Sequence, residues 1–245
     1  MIKYHNINGE IVSADKASIP INDVGLLRGY GIFDFFPIRE GLPLFREDYF
    51  NRFYRSADMI SLQMPIDRKT LNHRVVDLAK RNNLKRAYIK LVLTGGFAKD
   101  GYTPGESSLY ILQHPDVSYK PHDYEDGVRL LMQRHARQQP EVKNLNYANV
   151  LQHRQLLKEH GALDILYHDG RFIHETSRAN FFLIAEDETI YTSAGTALQG
   201  VTRRHVIKVA REHGIKVVEG PLPLYKILQA KEAFITSTTK SVLPV

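Results

Sequence analysis

Apolar and polar positions alternate through much of the first forty residues, and turn residues divide the alternation into short stretches. Residues 2–7 and 11–12 flank Asn8-Gly9, a dipeptide that tight hairpins favour because both central residues take positive φ. Residues 31–38 read as a further strand. From Glu47 to Ile60 the period changes, with apolar residues at 49/50, 53, 57 and 60 recurring at helical spacing. A second helix opens on Asp67 as its N-cap, buries Leu71, Val75, Leu78 and Ala79, and frays at Asn82-Asn83. Two strand-like runs, 87–93 and 109–112, follow on either side of a glycine-rich polar loop, 94–107, of the kind that carries function.

Residues 115–126 are polar, hold two prolines and show no period, which predicts a linker. Beyond it the pattern predicts a strand over 128–133, then an amphipathic helix of about four turns from Tyr147 to His160, stopped by Gly161. Strands over 164–168 and 171–174 are joined by Asp169-Gly170, a hairpin signal, and 181–184 and 189–191 continue the sheet. Gly200-Val201-Thr202 opens a helix through Val206, Ile207, Val209 and Ala210 that ends at Gly214, and 215–218 returns as a strand. The pattern as a whole predicts an α+β protein with a small N-terminal α/β domain over 1–114, a linker over 115–126 and a larger C-terminal domain over 127–245.

Composition narrows the class. Of 245 residues, 43% are hydrophobic and 24% charged, the balance of a globular chain rather than a disordered or fibrous one. No apolar run approaches the ~18 residues of a membrane span, and Met1 to Asn6 lacks the apolar core of a signal peptide, so the expected place is the cytoplasm, away from membranes. The absence of cysteine removes disulfides, thiolate metal sites and cysteine nucleophiles. A net charge of +6 raises the question of nucleic acid, but the basic residues are scattered apart from Lys80-Arg81 and Lys85-Arg86 at a helix end. Small anionic substrates account for the same excess. His168 and His174 lie near a predicted hairpin, without the ligand spacing and companion carboxylate that a metal site needs, so no metal is expected.

Chemistry enters at Lys143. It precedes the predicted helix at 147, where backbone donors and the positive end of the dipole disfavour an ammonium and favour a reactive amine. An exposed surface lysine is the plain alternative. Arg52, Glu175, Thr202 and Ser237-Thr238-Thr239 each have a plain reading too: a snorkelling cation, an edge or capping carboxylate, an N-cap and a turn. Taken together they describe a site for a phosphorylated aldehyde: an amine for the aldehyde, a carboxylate for a ring nitrogen, and a helix N-terminus, hydroxyls and an arginine for a phosphate.

Six motifs carry a resemblance over nearly the whole chain. They are Gly29-Tyr30-Gly31-Ile32-Phe33-Asp34, Asn51-Arg52-Phe53-Tyr54-Arg55-Ser56-Ala57, Lys143-Asn144-Leu145-Asn146-Tyr147, Glu175-Thr176-Ser177-Arg178-Ala179-Asn180-Phe181-Phe182, Gln199-Gly200-Val201-Thr202-Arg203 and Thr236-Ser237-Thr238-Thr239. In that order they resemble the class IV aminotransferases, the pyridoxal-phosphate family of branched-chain aminotransferases, D-amino acid transaminases and aminodeoxychorismate lyases. The resemblance implies a two-domain fold-type-IV enzyme, similar to D-amino acid aminotransferase, with pyridoxal 5'-phosphate in the interdomain cleft and a homodimeric assembly. It implies Lys143 as the Schiff-base lysine, Glu175 on the pyridine nitrogen, Tyr147 near the ring hydroxyl, and Arg52, Val201, Thr202, Ser237 and Thr238 around the phosphate.

The reaction it implies is amino transfer between an amino acid, branched-chain or D-, and a 2-oxo acid. An aminodeoxychorismate lyase and a non-enzymatic basic binding protein on the same scaffold are the alternatives, and intact Lys143, Glu175 and Arg52 speak against the second. Three departures bear on substrate. Lys90 stands where branched-chain enzymes carry an arginine after Tyr-Ile, and Arg28 stands where an aromatic often precedes the glycine motif; with Thr239, these are the candidate substrate-binding residues. Phe35 replaces a threonine frequent among the lyases. The loop 94–105 lacks the arginine-histidine pair of D-amino acid transaminases. The chain stops at Val245, where such enzymes usually continue for another strand and helix.

Overall fold

A computed structural model describes residues 1–245. The chain divides into two compact units, Met1–Val117 with Val142–Asn146, and Ser118–Glu141 with Tyr147–Val245. Each is built around its own sheet system.

In the first unit, β1 (Tyr4–Ile7) and β2 (Glu10–Ser13) form the expected hairpin, with Asn8 at φ 51° and Gly9 at φ 103°. A short helix, α1 (Val24–Arg28), precedes β3 (Gly31–Arg39) and β4 (Leu42–Pro43). Then come α2 (Arg46–Met59), α3 (Arg68–Asn82), β5 (Arg86–Thr94) and β6 (Ser108–Pro115). The strands make one antiparallel sheet in the order β2-β1-β6-β5-β3-β4.

The two-residue period of a strand decides what each face carries. Ile32, Asp34, Phe36 and Ile38 of β3 are fully buried, as are Phe50, Phe53, Leu71, Val75 and Leu78 from the two helices. The opposite face offers Phe33, Phe35, Lys90, Val92 and Leu112, all half-buried. Asp67 caps α3 as its sequence predicts, accepting from Thr70 N at 2.7 Å.

The second unit opens with α4 (Pro121–Glu125), a short helix inside the stretch expected to be a linker. β7 (Arg129–Arg134), β8 (Ala162–His168), β9 (Phe172–Thr176) and β13 (Leu222–Pro223) form a four-stranded sheet ordered β13-β9-β8-β7, with β7 and β8 parallel. A five-stranded sheet is ordered β12-β11-β10-β14-β15, from β10 (Asn180–Ala185), β11 (Ile190–Ser193), β12 (Val217–Gly220), β14 (Ala230–Ser237) and β15 (Ser241–Pro244). Leu166, Ile173, Phe181, Leu183, Leu222, Ile235 and Leu243 join the two sheets in one apolar core.

The helix expected over 147–160 is corrected. It is two short helices, α5 (Ala148–Gln152) and α6 (Arg154–Glu159), separated at His153, whose Nδ1 lies 2.7 Å from Asn149 O. The predicted apolar positions Val150 and Leu157 are buried, while Leu151, next to Val150 on α5, is 63% exposed. A longer helix, α7 (Val201–Glu212), follows β11 and packs Ile207 and Ala210 against Phe182 and Ile190. No helix is long and apolar enough to cross a membrane.

Candidate active site

Lys143 is not at the mouth of a helix. The first helical residue after it is Ala148, and the five-residue helix there gives its amine no dipole to face. Instead Lys143 runs beside β3: its carbonyl accepts from Phe33 N at 2.9 Å, and its own N–H donates to Ser56 Oγ at 3.3 Å. Its Nζ sits 4.5 Å from the centre of the Phe33 ring. Lys90, on β5, brings its Nζ to 5.1 Å from the same ring centre. One aromatic ring therefore carries both amines, an arrangement that the ring's negative face favours for each.

Lys90 meets no carboxylate, and burial pushes its ammonium below the ordinary lysine range. Arg28 lies elsewhere, exposed at the end of α1 with its guanidinium on Leu27 O at 3.1 Å. Of the two candidate substrate cations, Lys90 alone shares a ring with Lys143.

Arg52 belongs to a different cluster. Its Nε and Nη2 form a fork on Asp34, at 2.9 and 2.6 Å, and Asp34 is 0% exposed. This explains a carboxylate on the apolar face of β3: a bidentate guanidinium compensates the cost of burying it. Two of the five donors of Arg52 are thus committed within the unit.

In the second unit Glu175, 4% exposed on β9, accepts from Arg137 Nη1 at 2.6 Å and from Leu198 N at 3.0 Å. Arg137, a residue the sequence did not single out, also reaches Pro140 O at 3.3 Å. Nothing in His135-Ala136-Arg137-Gln138-Gln139 signals the pairing, which joins positions distant in sequence.

The bond to Leu198 ties Glu175 to the start of α7. Asn180 Nδ2 holds Leu198 O at 2.7 Å, and a Cβ on Gly200 would meet Asn180 Oδ1 at 2.0 Å, so only glycine fits there. Gly200, not Thr202, is the N-cap residue, and the helix has no side-chain cap. Its first turn, with buried Val201 and half-buried Thr202, offers backbone N–H groups and the positive dipole end to an anion.

Ser237 ends β14 and accepts from Lys240 N at 3.2 Å; Thr238 and Thr239 are half-buried in the turn that follows. In the same unit, buried Asp164 accepts from Thr176 Oγ1 at 3.1 Å and from Ser177 Oγ. Tyr147 packs with Val150, Leu157, Ile165 and Tyr167; burial pushes the Tyr167 hydroxyl up to about 12.

Residues 31–245 match the family model described as amino-transferase class IV. A protein of Methanocaldococcus jannaschii, provisionally named a branched-chain-amino-acid aminotransferase, is 31% identical over 98% of this chain and 85% of its own length. The chain belongs to the class IV aminotransferase family. A D-alanine aminotransferase of Listeria monocytogenes is 25% identical over 98% of this chain and 85% of that one. Among solved structures, the branched-chain amino acid aminotransferase of Escherichia coli superposes with a TM-score of 0.90 at 24% identity, covering 100% of this chain and 86% of that one. At that identity the likeness shows the fold.

Class IV aminotransferases work with pyridoxal phosphate, and the residues here fit such a group on their own chemistry. The uncapped helix start with its glycine cradle suits a phosphate, and the buried Glu175 carboxylate suits a protonated ring nitrogen.

Proposed function

We propose that this aminotransferase exchanges an amino group between an apolar amino acid of the branched-chain kind and a 2-oxo acid, with pyridoxal 5'-phosphate held by Lys143, Glu175, Tyr147, Arg52, Val201, Thr202, Ser237 and Thr238. The observation that carries the substrate class is the open face of the first unit's sheet, where Phe33, Phe35, Val92 and Leu112 flank Lys90, an ammonium that meets no carboxylate and shares the Phe33 ring with Lys143. An aliphatic side chain finds apolar surface there, and a carboxylate finds the ammonium of Lys90.

Pyridoxal 5'-phosphate bound by these residues would supply the electron sink for the pair released when the substrate's α-proton leaves. Lys143 Nζ takes that proton and returns it on the other side of the transfer. Glu175, fixed by Arg137 and Leu198 N, keeps a proton on the ring nitrogen. The N–H groups of Val201 and Thr202, with the hydroxyls of Ser237 and Thr238, hold the phosphate; Thr239, in the same turn as Thr238, is assigned to the substrate.

The ring of Phe35 stacks on Tyr88 at 4.7 Å and 8°, filling with an aromatic the place where the lyases favour a hydroxyl, which speaks for transfer over lyase chemistry. A homodimer is part of the reading, supported by the exposed apolar side chains Ile21, Leu26, Phe97 and Tyr102 of the first unit. The test is a panel of L- and D-amino acids with common 2-oxo acids, followed by product analysis. The reading expects L-leucine, L-isoleucine or L-valine to lead. Exclusive turnover of D-alanine, or release of pyruvate and an aromatic amine from aminodeoxychorismate, would overturn it.

A further inference from the structure

The second unit holds a cavity of about 710 Å³ away from the residues assigned above. Met132 of β7, Phe172 of β9, Pro223 of β13 and the 3-10 turn Leu224–Gln229 form its bed, and Gly170 and Arg171 its rim. Pro223 pairs with Phe172 across the sheet, which fixes the floor, and Leu224 and Ile227 are anchored on the core behind it. Three bed residues remain open to solvent: Leu228 is 90% exposed, Tyr225 60% and Met132 49%. An apolar bed in a concavity of ligand size suits a small ligand with an apolar body.

The charge at the rim indicates what completes it. The Arg171 guanidinium lies 5.5 Å from the centre of the Phe172 ring and has no carboxylate partner. Arg134, also exposed, approaches Gly170 and donates only to Asp169 O, at 3.1 Å. The nearby Asp169 carboxylate is occupied, accepting from Arg171 N and Phe172 N at 2.7 Å each. Arg171 thus borders the apolar trough, and Arg134 stands near its Gly170 rim; neither guanidinium makes an ion pair, since the neighbouring Asp169 carboxylate is turned to backbone N–H groups.

We propose that this trough is a second ligand site, taking a small amphipathic monocarboxylate whose apolar body lies on Phe172, Leu224 and Leu228 and whose carboxylate meets Arg171. Planar guanidinium is the group that grips a carboxylate in two parallel bonds, and Phe172 beneath it holds its plane. The apolar bed sets the preference for an extended hydrocarbon over a compact acid.

Met132 provides the probe. The chain has four methionines, so the holoenzyme labelled at methionine methyls gives few resonances, to be followed while octanoate or 1-octanol is added. Octanoate is expected to move the Met132 signal saturably while Met59 and Met64 stay still. In Arg171→Gln its affinity falls roughly ten-fold, the usual worth of a charge-assisted bond, and that of octanol is unchanged. In Leu228→Glu both ligands are lost. No saturable shift at Met132, equal octanoate affinity in Arg171→Gln and the parent, or a Met132 shift that follows protein concentration alone would each overturn the proposal, the last by making the trough an interface between copies.

Discussion

Arg137 Nη1 donates to Glu175 Oε1 at 2.6 Å, while Glu175 Oε2 takes the N–H of Leu198 at 3.0 Å. Both carboxylate oxygens of a residue only 4% exposed are therefore fixed by donors that favour the ionised form. A carboxylate held in place on both oxygens is what the proposed ring-nitrogen partner requires.

Glu175→Gln is expected to retain cofactor affinity within about ten-fold, since the phosphate groups are untouched, and to slow the transfer half-reaction by roughly a thousand-fold or more. Stopped-flow absorbance measures it, and unchanged turnover removes the role. Arg137→Met leaves the buried carboxylate without its cation and costs about 3 kcal/mol of stability in urea unfolding. In the double variant, where the buried carboxylate is gone as well, part of that stability is recovered.

Lys90 gives a prediction of opposite sign for stability and function. A half-buried ammonium without a carboxylate partner is a cost to the fold, so Lys90→Met raises the unfolding midpoint. Its pKa is depressed, so this cost is fully present below the folded-state pKa and is relieved as pH rises towards the ordinary lysine value. The same substitution lowers activity toward an amino acid selectively over the matching amine that lacks the carboxylate, by about ten-fold or more. Arg28→Met, at an exposed helix end, leaves the ratio unchanged. Equal losses on both substrates in Lys90→Met exclude Lys90 as the carboxylate partner.

Much of the first unit was legible because its signals are local. Asp67 announces α3, Asn8-Gly9 the first hairpin, and the two-residue period of β3 its buried face, with only Asp34 out of pattern until Arg52 explains it. Helix α1 is too short to show a period, and its N-cap Asp23 is held from afar by Thr94 and Tyr110. The division at His153 was hidden because a histidine bonded to Asn149 O looks, in sequence, like any polar helix residue. Among the proposed site residues, Lys143 and Glu175 stand out in sequence through their motifs. The shared Phe33 ring and Arg137 do not, since each depends on contacts between distant segments.

The loop 94–107 carries a pH-dependent tie. Asp100 accepts from Thr103 N at 2.7 Å and Thr103 Oγ1 at 2.6 Å, and these bonds hold its carboxyl down at about 2. The contribution of the tie is fully present above the ordinary aspartate value of 3.8 and is lost as pH falls through about 2. Carboxyl-carbon NMR is expected to place the Asp100 midpoint there and to show it rise in Thr103→Ala; an ordinary midpoint in the parent contradicts the tie.

The amine of Lys143 is the group on which the proposed chemistry turns. Borohydride reduction of the purified yellow protein, followed by digestion and mass spectrometry, is expected to leave the cofactor covalently attached to one peptide, the one that contains Lys143. Lys90, on the same ring, is the informative competitor. Attachment at Lys90 or any other lysine, or none at all, would contradict the assignment of Lys143.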